Sequence, residues 1–511
     1  MSDPKVPFAD ARDREVGMFP DELVEKHTQA LFDDFLKKLS RKSVVDMLIE
    51  LVAKYRGGKN PVWYRAERGS FNTCLVVEMD LDGEDGKKDQ KAWAMMRMPI
   101  PGASIFPEEK VRAEAAVMRF VAQHSNIPVP RIYHVGTADE NPTGLGPFLI
   151  MDYYKGVKFL ANFLRDEPRS QQFNVLDLAL PHSEIQKQYS KMAAILLELD
   201  RLPTMPRIGS LSYDEANAKF DVLSRPITQN MAELINSSGF PECVLPPVET
   251  TYTTSEDFFK HLANMNMAHL VFQQNRAVIS ADDARDRYMA RHLFRKLAQK
   301  GFLTKPASTG GAERFKLFCD DLTPSNVLVD DEGNLVAVID WEFAYFGPAS
   351  DDPPWWLLLQ KPEYWEPDGE VSMESGMLDD WTAKYPTYLN IFLRALEELE
   401  QGNTPEQASG EPLSARMRRN WENGNFWVNR AAREGNGFDP IFWKYIDERF
   451  HGKNERGGYE DRLELLSDSE RSMMEKLVKQ KMEERSANEL VEWEPESQQS
   501  FLEWCIGQRH V

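Results

Sequence analysis

The stretch from Phe318 to Glu342 constrains this 511-residue chain more than any other. Val327–Val329 and Leu335–Ile339 are β-prone, and the residues between them, Asp331-Glu332-Gly333-Asn334, have turn chemistry. Such a pair closes as an antiparallel hairpin. That pairing sets Asn326, entering the first strand, beside Asp340, leaving the second. Asp321 lies five residues before Asn326, and Pro324 keeps the loop between them out of helix. Three oxygen-bearing side chains then meet at one edge of a sheet. A hard ion such as Mg²⁺ takes a few oxygen ligands plus phosphate oxygens, and Asn326 with Asp340 offers such a half-shell. Asp321 is left to accept a hydroxyl proton.

Upstream, Leu23–Tyr55 carries helix-spaced apolar residues such as Leu31, Phe32, Phe35, Leu36 and Leu39. Strand-like runs follow at Val62–Ala66, Thr73–Asp80 and Ala92–Met98, separated by the turn Glu67-Arg68-Gly69-Ser70 and a Gly/Asp/Lys-rich link over 81–91. A helix is expected from about Pro107, with proline at N1 and Glu108 and Glu109 in its first turn, to about Gln123. Arg131–Val135 and Phe148–Asp152 complete the order β-β-β-α-β-β, a small antiparallel sheet with one helix. Residues 157–315 read as mainly helical, with long amphipathic stretches at Ile185–Leu199 and Asp283–Lys300. Gln401–Glu411 reads as a surface linker, and Ser467-Asp468-Ser469-Glu470 has capping-box spacing before a charged helix.

A net charge of −21 repels a phosphate backbone and argues against nucleic acid as partner. Cys74, Cys243, Cys319 and Cys505 form no CxxC pair, so reduced structural thiols are expected rather than disulfides or zinc. No run approaches the ~20 apolar residues that span a bilayer, and Met1-Ser2-Asp3-Pro4-Lys5 lacks a secretory signal's basic and apolar regions. A cytoplasmic protein without a membrane partner is the expectation.

Asp321-Leu322-Thr323-Pro324-Ser325-Asn326-Val327-Leu328-Val329, with Val338-Ile339-Asp340-Trp341, resembles the aminoglycoside phosphotransferase and choline kinase-like family. Asp340-Trp341-Glu342-Phe343 through Pro353-Pro354-Trp355-Trp356 looks like its fungal branch. The resemblance covers roughly residues 60–400. It implies an α+β, bilobal, protein kinase-like fold with an antiparallel-sheet N-lobe, a mainly helical C-lobe and a catalytic hairpin. The expected division is 1–59 as an N-terminal helical extension, 60–156 as the nucleotide-binding lobe, 157–400 as the catalytic and acceptor-binding lobe, and 401–511 as a helical C-terminal extension.

The resemblance also implies roles: ATP and Mg²⁺ as cofactors, Asp321 as base, Asn326 and Asp340 as metal ligands, and a small-molecule hydroxyl as acceptor. Gly69, Ser70 and Asn72 resemble the turn that covers nucleotide phosphates, Gly69 permitting close approach. Arg97 shares a strand face with Trp93 and Met95 and needs a partner; Glu114, set in an apolar helix stripe with Val111 and Met118, is the candidate. Asp152 and Tyr154 resemble the hinge whose main chain bonds adenine. Glu342, Asp351 and Asp352, with Trp341, Trp355 and Trp356, are the candidate acceptor pocket, suited to an amine-bearing alcohol through ion pairing and cation–π contact.

The chain departs from the family at Cys319, where a histidine is usual, and at Asp320. Adjacent Asp320 raises rather than lowers a thiol pKa, so Cys319 reads as an inert packing group. No Ala-Pro-Glu motif follows Asp340-Trp341-Glu342, which disfavours a protein substrate. The alternative reading is a pseudokinase that binds nucleotide without chemistry, and a third is a scaffold that has inherited only the fold.

Overall fold

The computed structural model describes residues 17–81, 90–104, 106–166, 174–304, 312–348, 351–365, 377–402 and 411–490. The first sixteen residues, Cys505, nearly all of the expected link at 81–91 and most of the linker at 401–411 lie outside them.

Two helices, α1 (Glu22–Leu39) and α2 (Lys42–Arg56), precede the first strand. Asp21 caps α1 by accepting a hydrogen bond from Leu23 N at 2.9 Å, and Gly57 ends α2 at φ +81°, a left-handed conformation glycine adopts without penalty. Strands β1 (Lys59–Arg68), β2 (Asn72–Leu81), β3 (Gln90–Pro99), β4 (Ile132–Gly136) and β5 (Phe148–Asp152) form one sheet in the order β1-β2-β3-β5-β4, every neighbour antiparallel. Helix α3 (Pro107–His124) lies between β3 and β4 in sequence. The β-β-β-α-β-β order expected from the sequence is the one observed.

Strand alternation gives this sheet two apolar faces. Met96, Met98, Phe148 and Ile150 face a core with Phe32, Phe35, Leu48 and Val52 of α1 and α2. Leu149 and Met151, one position out of phase, join Val111, Met118 and Val121 of α3 in the large core of the helical part.

That helical lobe rests on paired helices. His182–Asp200 packs along Met377–Gln401, and Ala281–Gln299 packs between Ser255–Phe272 and Asp468–Ala487. Ser467 opens the last helix with the expected capping box. Leu413, Met417, Phe426, Phe442 and Met474 belong to the same core as Leu293 and Trp356, so the segment 411–490 helps complete the lobe's interior. Buried Arg291 clamps the two parts, donating to Asp439 Oδ1 at 3.0 Å and Oδ2 at 2.9 Å.

Two elements depart from the mainly helical reading of 157–315: Lys158–Phe159 is a short strand paired antiparallel with Val327–Val329, and Ser210–Asp214 and Lys219–Ser224 form a hairpin. Its apolar alternation, Leu211/Tyr213 against Phe220/Val222, spans too few residues to stand out beside long helical stretches. Among the described residues no helix is long and apolar enough to cross a membrane.

Leu48 is fully buried between α2 and the sheet. Leu48→Ala is expected to cost about 2–5 kcal/mol. Urea unfolding checks this; a cost below about 1 kcal/mol would mean that α2 is not part of the sheet's core.

Candidate active site

The hairpin forms as its residues dictate. Val327–Val329 pairs antiparallel with Leu335–Val338, and Val327 stands opposite Val338. Its turn is tied by Asp330, whose carboxylate accepts from Asn334 N at 2.7 Å and Asn334 Nδ2 at 2.9 Å, with Gly333 at φ +80°. One step beyond the pair, Ile339 N donates to Asn326 O at 2.9 Å, which brings Asp340 alongside Asn326. Asp340 has φ +67°, a costly conformation for a residue with a side chain and one that clusters at functional sites.

Asp321, Asn326 and Asp340 are thus gathered at one end of the hairpin. Asn326 Nδ2 donates to Asp321 O at 2.7 Å and to Asp321 Oδ2 at 3.1 Å. Because these bonds use the amide nitrogen, Oδ1 is the atom Asn326 has left to offer a metal. Burial first, then the negative charge of Asp340, pushes the Asp321 carboxyl up to about 7, against a lowering pull from Lys361. Burial likewise raises Asp340, although Arg97 opposes it.

Above the hairpin lies a buried charge network. Arg97 on β3 reaches Glu114 of α3 at 3.3 Å, Glu342 at 3.2 Å and, in a closer ion pair, Asp340. Lys110, one helical turn before Glu114, pairs with Glu342 and donates to Asn72 Oδ1 at 3.0 Å and Ser104 Oγ at 2.8 Å. Asn72 Nδ2 in turn donates to Glu342 Oε2 at 2.8 Å. Burial raises Glu114 to about 7, with Arg97 opposing. Burial acts on Glu342 too, yet Lys110 and Arg97 outweigh it and hold that carboxylate down to about 2.

This geometry corrects two expectations. Glu342 belongs to the charge network between sheet, helix and hairpin rather than to an acceptor pocket, because Lys110, Arg97 and Asn72 consume its oxygens. Asn72 is buried in the same network, so its side chain is committed to Lys110 and Glu342 rather than offered to a phosphate. Ser70 is exposed at the turn. Gly69 has no positive φ, and a Cβ there would sit 3.6 Å from Asn72 O, so the protein's own packing tolerates a side chain. Only an approaching ligand would require glycine.

At the far end of β5, Asp152 accepts from Arg131 N at 3.1 Å and from the Tyr133 hydroxyl. Strand β5 ends at Asp152, before half-buried Tyr153 and Tyr154. The Cys319 thiol is pushed well up by burial and by Asp321, which keeps it protonated.

Asp351 is held by Arg416 at 2.7 Å. Asp352 accepts from Asn429 Nδ2 at 2.7 and 2.9 Å and from Asn420 Nδ2 at 3.1 Å. Trp341 is core, its indole donating to Val338 O at 3.0 Å. Asp352, Trp355 and Trp356 line a cavity of about 150 Å³ whose wall also includes Asp320 and Leu322, the neighbours of Asp321. The rest of that wall comes from 196–200, 229–230, 316–319 and 353–354 and, from a segment given no role above, 413–434.

Lys110 and Lys361 were not expected at the site. Lys110 had a signal, four residues before Glu114 on one helix face. Lys361, paired with Glu434 at 3.0 Å, had none, because its partner is 73 residues away.

The family model of the phosphotransferase enzyme family (APH) matches residues 87–389, well over half of the chain and including Arg97, Glu114, Asp321, Asn326 and Asp340. The chain belongs to this phosphotransferase family. A curated relative, the Clavilactone A biosynthesis cluster protein Y of Ampulloclitocybe clavipes, is 25% identical over 284 residues. That stretch is 54% of this chain and 60% of the relative, so the chain spans three-fifths of the relative's length. Similar solved structures include a putative aminoglycoside phosphotransferase of Ralstonia eutropha JMP134, at 11% identity and TM-score 0.35, covering 86% of this chain and 97% of that one. Choline kinase LicA of Streptococcus pneumoniae is similar at 11% identity and TM-score 0.28, covering 75% and 98%.

Lys110 and Glu342 are both buried, so removing Glu342 strands the Lys110 charge, at a cost of about 3–5 kcal/mol, while removing Lys110 leaves Glu342 with Arg97 as its remaining cation. Lys110→Met with Glu342→Gln should therefore recover part of the loss, a coupling of about 0.5–3 kcal/mol in a double-mutant cycle read by urea unfolding. Strict additivity would show that the pair is not energetically linked.

Proposed function

We propose that this chain transfers the γ-phosphoryl group of ATP to a hydroxyl of a small molecule. The observation that supports this most is the meeting of Asp321, Asn326 and Asp340 at the hairpin end, directly under the Arg97–Glu114 pair.

The residues fit the cofactors. Glu114, Asp321, Asp340 and Glu342 outnumber Arg97 and Lys110 here, so the site has an excess of negative charge that a divalent cation would neutralise. Among the described residues no group of three or more His, Cys, Asp or Glu side chains is assembled as a complete metal cage. That suits Mg²⁺, which keeps waters and phosphate oxygens and takes few protein ligands. Asn326 Oδ1 and Asp340 would hold it, and when bound it neutralises phosphate charge. Arg97 Nε is buried without a hydrogen-bond partner among the described residues, which leaves one guanidinium donor for a phosphate. Main-chain groups of Asp152 and Tyr154 would receive adenine, and the Gly69–Ser70 turn would lie over the phosphates.

The chain's own residues then position and deprotonate. Asp321 accepts the proton of the acceptor hydroxyl; that oxygen bonds to the γ-phosphorus, and the bond from phosphorus to the ADP oxygen breaks. A carboxyl raised by its surroundings is a better base than an exposed one. The Arg97–Glu114 pair keeps the guanidinium on the inner face of β3, and Glu342, held by Lys110, steadies the strand exit that carries Asp340. Holding the groups in line supplies much of the rate.

Asp321→Asn is expected to lower acceptor-dependent ATP turnover by about 10²–10⁴-fold while the thermal shift with MgATP persists. A wild-type shift without turnover across hydroxyl compounds would favour the pseudokinase instead. Asp340→Asn is expected to raise the Mg²⁺ concentration needed for half-maximal ATP binding, read by titration calorimetry at fixed ATP. An unchanged Mg²⁺ requirement would remove Asp340 from the metal shell.

A further inference from the structure

The charges around the 150 Å³ cavity are already matched within the protein. Asp200 is paired with Lys316 and, at 2.7 Å, with Arg416. Asp352 accepts from two asparagine amides and faces the charge of Arg433. Asp320 accepts from Gln229 N at 3.0 Å and faces the charge of Arg433. Glu434 is held by Lys361 and Arg430, each at 3.0 Å. A cationic acceptor would need a carboxylate that is not yet neutralised, and each acid in this wall has its counter-group.

The aromatic faces tell the same story. Lys361 and Arg430 lie 5.8 and 5.5 Å from the Trp355 ring centroid, and Arg433 lies 4.7 Å from that of Phe318. The Trp355 face expected to meet an amine-bearing substrate is occupied by the protein's own cations, and Trp341 and Trp356 are buried in the core. What the cavity still offers is apolar surface, from Leu196, Leu199, Leu322, Met417, Phe426 and the exposed part of Trp355.

Resting on the phosphotransferase reading, we infer that the acceptor is a compact, uncharged and largely apolar alcohol whose body fills this cavity and whose hydroxyl is presented at Asp321. Gln229 lines both this cavity and a larger, more polar space of about 400 Å³ bordered by Glu25, Gln29 and Ser70, next to α1 and the Gly69–Ser70 turn. Leu413, Met417, Phe426 and Arg430 in the cavity wall, and Glu25 and Gln29 in the adjoining space, lie outside the residues matched by the family model. Part of the wall that would meet the acceptor therefore comes from segments beyond the family match.

The test uses the full-length protein, thermal shift with MgADP, and ATP consumption with two sets of probes. One set is compact neutral alcohols, from 2-phenylethanol to cyclohexylmethanol; the other is choline and kanamycin. The neutral set is expected to add a shift to the MgADP-loaded protein and to support ATP consumption at least tenfold above the cationic set. Met417→Trp and, separately, Leu196→Phe should abolish the alcohol-dependent shift and keep the MgADP shift, which also reports that the variants fold. Turnover with a cation and none with a neutral alcohol overturns the inference, as does an undiminished alcohol response in both filled variants. A wild-type protein without any MgADP shift would overturn the phosphotransferase reading itself, a result distinguishable from the other two.

Discussion

The architecture around the site depends on one buried ionic knot. Arg97 comes from the sheet, Lys110 and Glu114 from helix α3, and Asp340 and Glu342 from the hairpin exit, and each touches at least one of the others. Charges this deep are costly to desolvate, so the knot persists only if every member stays paired. That condition links three elements that are otherwise joined by apolar packing. A shift of α3 would break the pairs of Lys110 and Glu114 together, and a shift of the hairpin would break those of Asp340 and Glu342. The energetic penalty fixes the distance between the lobe that would hold nucleotide and the residues that would act on it.

The knot also explains why carboxylates two residues apart behave oppositely. Asp340 has one close cation, Arg97, and its acidity is weakened by burial and by Glu342 beside it. Glu342 has two cations and an amide, which overcome the same burial. Alternate residues of a short extended segment therefore divide the work, one as a fixed structural anion and the other as an anion with capacity for a further positive charge. Asp340 carries its share of this division on a left-handed backbone, φ +67°.

Much of this was legible in the sequence where the relevant contacts are local. The hairpin could be read because β-prone runs flank a turn containing Asp331 and Gly333, and its register followed from antiparallel pairing. The five-stranded sheet was legible because turn residues interrupt period-2 apolar runs at short intervals. The pairing of Arg97 with Glu114 could be inferred because each is a charge on an apolar face. The fate of Glu342 could not: its assignment turned on Lys110, 232 residues earlier, a separation over which composition and spacing carry no signal. The same holds for Asp352, whose partners Asn420 and Asn429 belong to a segment with no recognisable motif.

This difference between local and distant contacts bears on how such a chain divides its labour. Residues that would handle phosphate and metal sit on a hairpin and a strand–helix pair, elements whose geometry short-range rules specify and which the family match encloses. Residues that would meet the acceptor come from several distant segments, Leu196 and Leu199, Leu322, Trp355 and 413–434, with α1 beside the adjoining space, brought together by long-range packing. Those distant walls can change without disturbing the ionic knot, because the cavity's charges close among themselves: Glu434 on Lys361 and Arg430, Asp200 on Lys316 and Arg416. The two sites adjoin at the short loop that carries Asp320 and Asp321, where the charge of Lys361 also reaches Asp321, so the cavity walls can vary in shape while the ionic knot keeps its own pairs.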